Sequence, residues 1–212
     1  MNLARGGAGA ALAGALILSL MPGPGRSAPG AQDDMVLGNP AAPVTVIEYA
    51  SVGCPHCGDW ARVVFPVFKT KYVDTGMVRF VFREVLFGDA AVAAAGFLTA
   101  RCAGRAHYFQ VVEGIFEAQP EMEREGSDLP QLTRIAREAG LTQAQFAACL
   151  ADHAALAALE ARSDGYTERD RITGTPTFVI GSQRLVGFQE LPRLEAAIAS
   201  AEAEARAAAR PH

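Results

Sequence analysis

Cys54 and Cys57 stand three positions apart, with Pro55 and His56 between them, in the run Glu48-Tyr-Ala-Ser-Val-Gly-Cys-Pro-His-Cys-Gly-Asp-Trp60. Such a pair can bind a metal, carry a haem or close into a small disulfide ring. A structural zinc site needs four ligands, and Cys102 with His107 is the one other grouping, at a poor spacing. Gly58 follows Cys57, so the haem pattern Cys-x-x-Cys-His is absent. No metal or other cofactor is therefore expected. A ring this small constrains little of the unfolded chain, which makes a purely structural bridge a weak use of two cysteines. Redox work suits the residues better. Cys54 falls where a strand meets a helix, so free N–H groups and the positive end of the helix dipole face its sulfur. Pro55 at the first helical position has no N–H to lose, and His56 adds a donor or a positive charge. All three favour thiolate. Each unit by which a cysteine falls below its free pKa of about 8.5 is worth about 1.4 kcal/mol. The same energy is about 30 mV in a two-electron couple. Stabilising the thiolate makes the disulfide more oxidising, so the Pro-His insert points to an oxidant more than to a reductant.

The elements that must hold this pair can be read on either side of it. Residues 36–43 look like a loop, with Gly38, Asn39 and two prolines. The β-branched and aromatic run over residues 44–50 predicts a strand buried on both faces. Helical spacing over residues 59–71 carries Pro66 as an expected kink, Asp74-Thr-Gly76 ends it, and residues 77–83 give a second strand. The opening is thus β-α-β, with the cysteines at the start of the crossover helix. Between residues 90 and 171, apolar residues recur three and four apart in segments 90–102, 107–118, 129–139, 142–151 and 154–166. Gly104, Gln119-Pro120, Gly126-Ser127 and Gly140 separate them. Residues 174–180 form a strand entered through Pro176, Gly181-Ser182 a hairpin, and residues 183–186 the returning strand. A closing helix is marked by Leu191, Leu194 and Ile198.

Cys54-Pro-His-Cys57 after Glu48-Tyr-Ala-Ser, the helical insertion, and Gly174-Thr-Pro-Thr-Phe178 near the end together resemble the DsbA family of exported thiol:disulfide oxidoreductases. That resemblance implies an α/β thioredoxin fold, β-α-β then β-β-α, with an inserted all-helical subdomain. Residues 36–88 would be its first part, 89–171 the insertion, 172–200 its second part and 201–212 a charged, alanine-rich tail. It implies that Cys54 is the exposed nucleophile forming a mixed disulfide with a client, and that the more buried Cys57 resolves it. Pro176 matches the family's cis-proline. Its neighbour Thr175 would hold a client segment as an added strand and touch the active sulfur. Glu48 shares a strand face with Val44, Val46 and Ala50. It is either a partnered carboxylate or, as the family suggests, a proton acceptor for Cys57 with a pKa raised by burial. Cys102 and Cys149, on apolar helix faces, are either two buried thiols or a structural disulfide such as some relatives carry. Trp60, Phe65 and Phe68 fit the core, and an exposed Trp60 would suit an apolar client groove.

Residues 1–28 read as a cleaved export signal, with an uncleaved N-terminal anchor as the alternative: Arg5, an apolar stretch too short for a comfortable membrane span, then small and turn-forming residues. Its removal changes the chain from 19 Lys and Arg against 23 Asp and Glu to 17 against 23, a net charge of −6. An acidic surface argues against nucleic acid as partner. The family instead implies reduced, unfolded exported proteins as clients, a quinone-linked membrane reoxidant of the DsbB type, a periplasmic location and a monomer. The alternatives are an isomerase or reductase using the same chemistry, or a chaperone-like module that binds peptides around Pro176.

Overall fold

The computed structural model describes Met1 and residues 34–208. The expected export signal therefore lies outside the described residues, apart from Met1. Strands β1 (Met35–Leu37), β2 (Val44–Ala50), β3 (Val78–Glu84), β4 (Thr177–Ile180) and β5 (Gln183–Val186) form one sheet in the order β1-β3-β2-β4-β5. The parallel β2–β3 pair is the mark of a β-α-β crossover, and the other neighbours run antiparallel. Strand alternation sorts the side chains. Val44, Val46, Glu48 and Ala50 of β2 are buried together, and Tyr49 on the other face joins a second cluster with Val85, Tyr166 and Ile172.

The crossover contains α1 (Pro55–Val63), the single turn α2 (Phe65–Phe68) and a π-helical turn over Lys69–Val73. The expected kink at Pro66 is a break one residue earlier than the proline's own turn. Val64 caps α1, and Pro66 sits in the first turn of α2, where a missing N–H costs nothing. Trp60 anchors this connection in the core, with ring centroids 4.7 Å from Phe178, 5.6 Å from Phe65 and 6.0 Å from Phe68. It is 1% exposed, so the sequence-based suggestion of an exposed Trp60 at a client groove is overturned.

The helical insertion consists of α3 (Ala90–Cys102), α4 (Tyr108–Glu125), α5 (Leu129–Glu138), α6 (Gln143–Leu150) and α7 (His153–Arg169). Asp89 caps α3 through the Ala91 and Val92 N–H groups, and Thr142 with Gln145 forms a capping box on α6. The break expected at Gln119-Pro120 is absent: α4 runs through both residues to Glu125. Cys102 and Cys149 form a disulfide with Cα atoms 6.2 Å apart, tying the end of α3 to α6. Cys149 is buried, while Cys102 is exposed, against the expectation that both point inward.

Two boundaries differ from the sequence reading. Met35–Leu37 is a strand where a loop was expected from residue 36, and Asp34 before it is buried against Arg83 and Tyr166. At the other end, α8 (Leu191–Ala208) continues through residues 201–208, past the expected tail boundary; residues 209–212 lie outside the described residues. Alanine sustains the helix, Ala201 is buried, and Ser182 of the β4–β5 turn donates to Glu204 at 3.0 Å.

Candidate active site

Cys54 is the residue before α1, in extended backbone (φ −107°, ψ 118°), with Pro55 in the first turn. The amides of His56 and Cys57 therefore point back at its sulfur. Its thiol donates to the Thr175 carbonyl across the site at 3.5 Å. The thiolate is the favoured form: Cys54 is held down at about 5. The Cys57 thiol, donating to the Cys54 sulfur, is the largest cause. Burial opposes it, and the Thr175 side chain and the two helix amides add to it. Cys57 behaves oppositely. It is 0% exposed, and burial together with the neighbouring Cys54 and Glu48 pushes its thiol well above the ordinary cysteine value. Two cysteines three residues apart are thus driven in opposite directions by position alone.

Cys54 is 7% exposed, more accessible than Cys57 but not the openly exposed thiol expected from sequence. The His56 ring is likewise not where it was expected to act. Its side chain is 76% exposed and lies 4.0 Å from Asp59, so His56 favours the Cys54 thiolate through its backbone N–H. Thr175 and Pro176 sit opposite Cys54, and the peptide bond between them is cis. Pro176 is buried and its carbonyl accepts from Gly187 N–H at 2.7 Å; Val186 at the end of β5 and Phe188 just beyond it stay exposed beside this loop. Glu48 is 2% exposed, and burial first, then the Cys54 charge, raises its carboxyl well above the ordinary range. Its largely apolar setting thus favours the carboxylic acid over the carboxylate.

Three residues that the sequence did not mark hold this turn in place. Gln119 of α4 donates through Nε2 to the carbonyls of Val52 (2.8 Å) and Cys54 (3.2 Å). Gly58 makes that approach feasible, because a Cβ there would come within 1.8 Å of Gln119 Oε1. Arg62 bonds Asp59 at 2.8 Å and donates to the Phe116 carbonyl, the acceptor that Pro120 leaves without its helical N–H. Gln119-Pro120 looks like a helix break along the chain, and these contacts span more than fifty residues. No local pattern announces them. A second close approach fixes the other side, where Asp89 N–H donates to the Gly53 carbonyl at 2.9 Å.

A thiolate at Cys54 over a buried thiol at Cys57 and a buried acid at Glu48 is an arrangement for breaking and making one S–S bond, with proton capacity beside the inner sulfur. Comparisons with known proteins agree. The thioredoxin family model matches residues 31–200. A Rickettsia bellii protein whose name places it among the protein-disulfide oxidoreductases is 30% identical over 176 residues, covering 82% of this chain and 67% of that one. A Rickettsia conorii protein of like name is 32% identical over 149 residues, 70% of this chain and 53% of its own. The chain thus spans between half and two thirds of these relatives' lengths. Among solved structures, alpha-DsbA1 of Wolbachia pipientis is 28% identical with a TM-score of 0.75, covering 84% of this chain and 95% of its own. The fold is also that of BdbD from Bacillus subtilis, at 23% identity and a TM-score of 0.72, over 81% of this chain and 94% of that one. The chain belongs to the thioredoxin family and, within it, to the thiol-disulfide oxidoreductases of the DsbA type.

Proposed function

We propose that this protein is a dithiol oxidase that donates the Cys54–Cys57 disulfide to exported proteins as they fold. The observation that carries the reading is the opposite displacement of the two thiols, Cys54 down to about 5 and Cys57 well up. In the oxidised protein a client thiolate attacks the Cys54 sulfur, forming a client–Cys54 bond and breaking the Cys54–Cys57 bond. Cys57 leaves as a thiolate and takes a proton from Glu48. A second client thiolate then attacks the client sulfur of the mixed disulfide and releases Cys54 as a stable thiolate. The client has lost two electrons and the protein has gained them. Stabilising the reduced product drives this direction.

The loop at Thr175 and Pro176, with exposed Val186 and Phe188 beside it, offers the client a backbone edge and apolar contact opposite Cys54. Thr175, whose side chain also steadies the thiolate, couples client contact to sulfur chemistry. The sequence-based reading of an export signal fits a periplasmic site of action, and a quinone-linked membrane protein of the DsbB type would restore the disulfide. Among the described residues no helix is long and apolar enough to cross a membrane.

The test is the equilibrium potential of the Cys54/Cys57 couple against glutathione. The expected value is more oxidising than about −200 mV, above the glutathione range. A value near or below about −270 mV, the potential of thioredoxin, overturns the oxidase reading in favour of a reductase. A Cys54→Ala variant that keeps full function in cells would favour a peptide-binding module instead.

A further inference from the structure

Each turnover adds a proton at Cys57 and removes it again, yet Cys57 is 0% and Glu48 2% exposed. Glu48 can store one proton. It must then exchange with solvent through a wall of aromatic rings. Two buried polar atoms on this side of the site, Glu48 Oε1 and Trp60 Nε1, make no hydrogen bond among the described residues. Leaving a buried donor or acceptor unmet costs about 1–3 kcal/mol, so two together call for a shared explanation. Both side chains line the same small cavity between β2, α1, β3 and α4, of about 20 Å³, walled by Phe80, Phe82 and Phe116. A cavity of roughly 10–15 Å³ or more with several polar partners holds one water. The indole N–H can only donate, so it would fix the oxygen of that water as acceptor and leave both hydrogens for carboxyl groups.

Among the described residues, the one other titratable side chain on this cavity is Glu113 of α4. Glu113 also lines an open groove of about 690 Å³ on the outer side, which Lys69 and Glu117 share. It is exposed, and burial is the first cause that raises its carboxyl above the ordinary range. Lys69 opposes that rise and Glu117 adds to it. Glu113 is thus in reach of both the cavity and bulk water.

We propose that the cavity between Glu48 and Trp60 holds one ordered water, and that Glu113 is the outer station of a proton route running from solvent through this water to Glu48 and Cys57. When the disulfide is consumed, Cys57 takes the Glu48 proton, and Glu48 is reprotonated from solvent by way of Glu113 and the water. Reoxidation runs the same route outward. The inference rests on Cys54–Cys57 being a redox pair, but not on the direction in which the pair works.

The test uses the full chain with oxidised glutathione and reduced glutathione as probes. Glu113→Gln should slow both reoxidation and reduction of the pair by roughly tenfold, the low end for loss of a proton-transfer group. The equilibrium potential and the Cys54 thiolate titration should stay unchanged, because a route alters rates and not end states. Glu113→Asp should restore part of the rate, and formate, small enough to enter the groove, should rescue Glu113→Ala. Trp60→Phe, which keeps the packing but removes the donor, should slow both directions without moving the potential. Wild-type rates in Glu113→Gln across the pH range overturn the proposal. So does slowing matched by a shift in potential, which would mean a structural role. If Glu48→Gln is also at wild-type rate, Glu48 itself is not in the path. A reducing potential with a slowed Glu113→Gln would overturn only the oxidase direction and leave the route standing.

Discussion

At the scale of single residues, the site is a matter of where one helix begins. Cys54 stands outside the helix and receives its amides, while Cys57 stands inside it, one turn deeper and cut off from water. That asymmetry has a consequence for stability. Cys54 in the folded, reduced protein sits at about 5, below the ordinary cysteine value. A depressed value stabilises the fold fully above the unfolded pKa, and that contribution is lost as pH falls through the folded one. The oxidised protein has no thiol at 54 and lacks it. Glu48, raised mainly by burial, works in the opposite sense in both redox forms and largely cancels from their difference. We expect the Cys54 contribution to favour the reduced over the oxidised form by about 3 kcal/mol near pH 7 and to disappear by about pH 4. Urea denaturation of both forms across that range checks it. A difference that does not change with pH would mean that Cys54 carries no depressed pKa.

At the scale of elements, the pair is held by a contact between α1 and α4. Pro120 takes an N–H out of the interior of α4, and the Phe116 carbonyl it would have met accepts from Arg62 of α1 instead. The neighbouring Gln119 then reaches the carbonyls of Val52 and Cys54. Replacing Arg62 by Met should cost about 1–3 kcal/mol, since a buried acceptor loses a charged donor. In a Pro120→Ala background the alanine N–H can take over, so the same substitution should cost at least about 1 kcal/mol less. A double-mutant cycle by denaturation measures this, and strict additivity would show that the two residues do not share the carbonyl. The same contact marks the limit of what the chain discloses. Strands β2 to β5 and the cysteine turn were legible because β-branched runs, the Gly181-Ser182 turn and the Cys-Pro-His-Cys insert are local signals. The bounds of α3 and α6 were legible to within a residue because apolar residues recur three and four apart in them and Gly104 and Gly140 mark the neighbouring breaks. Strand β1 was missed because three residues carry no period, and what makes them a strand is pairing with β3. The course of α4 through Pro120 was missed because its compensation comes from Arg62, more than fifty residues away. The outward turn of the His56 ring was missed because a rotamer leaves no trace in residue spacing.

At the scale of the whole molecule, the helical insertion and the sheet are joined by buried charge as well as by apolar packing. Glu84 at the end of β3 is 2% exposed and accepts from Arg101, Arg162 and Tyr108, which come from α3, α7 and α4. Asp34 ahead of β1 accepts from Arg83 of β3 and Tyr166 of α7 in the same way. Removing one partner of such a pair leaves a buried charge uncompensated, so these junctions resist shear between the layers. The Cys102–Cys149 disulfide acts elsewhere, inside the insertion, where it closes a loop with a sequence separation of 47. On the chain-entropy account that bridge stabilises the fold by about 4 kcal/mol. The causes that lower Cys54 are its own helix amides, Cys57 and Thr175, and none of them belongs to α3 or α6. Replacing Cys102 and Cys149 together by Ser should therefore lower the denaturation midpoint markedly while leaving the thiolate titration of Cys54 where it is. Ultraviolet thiolate absorbance and urea denaturation of the same preparation read the two effects separately. If the titration moves with the midpoint, the bridge is mechanically coupled to the start of α1, and the α3 contact at Asp89 and Gly53 is where that coupling would pass.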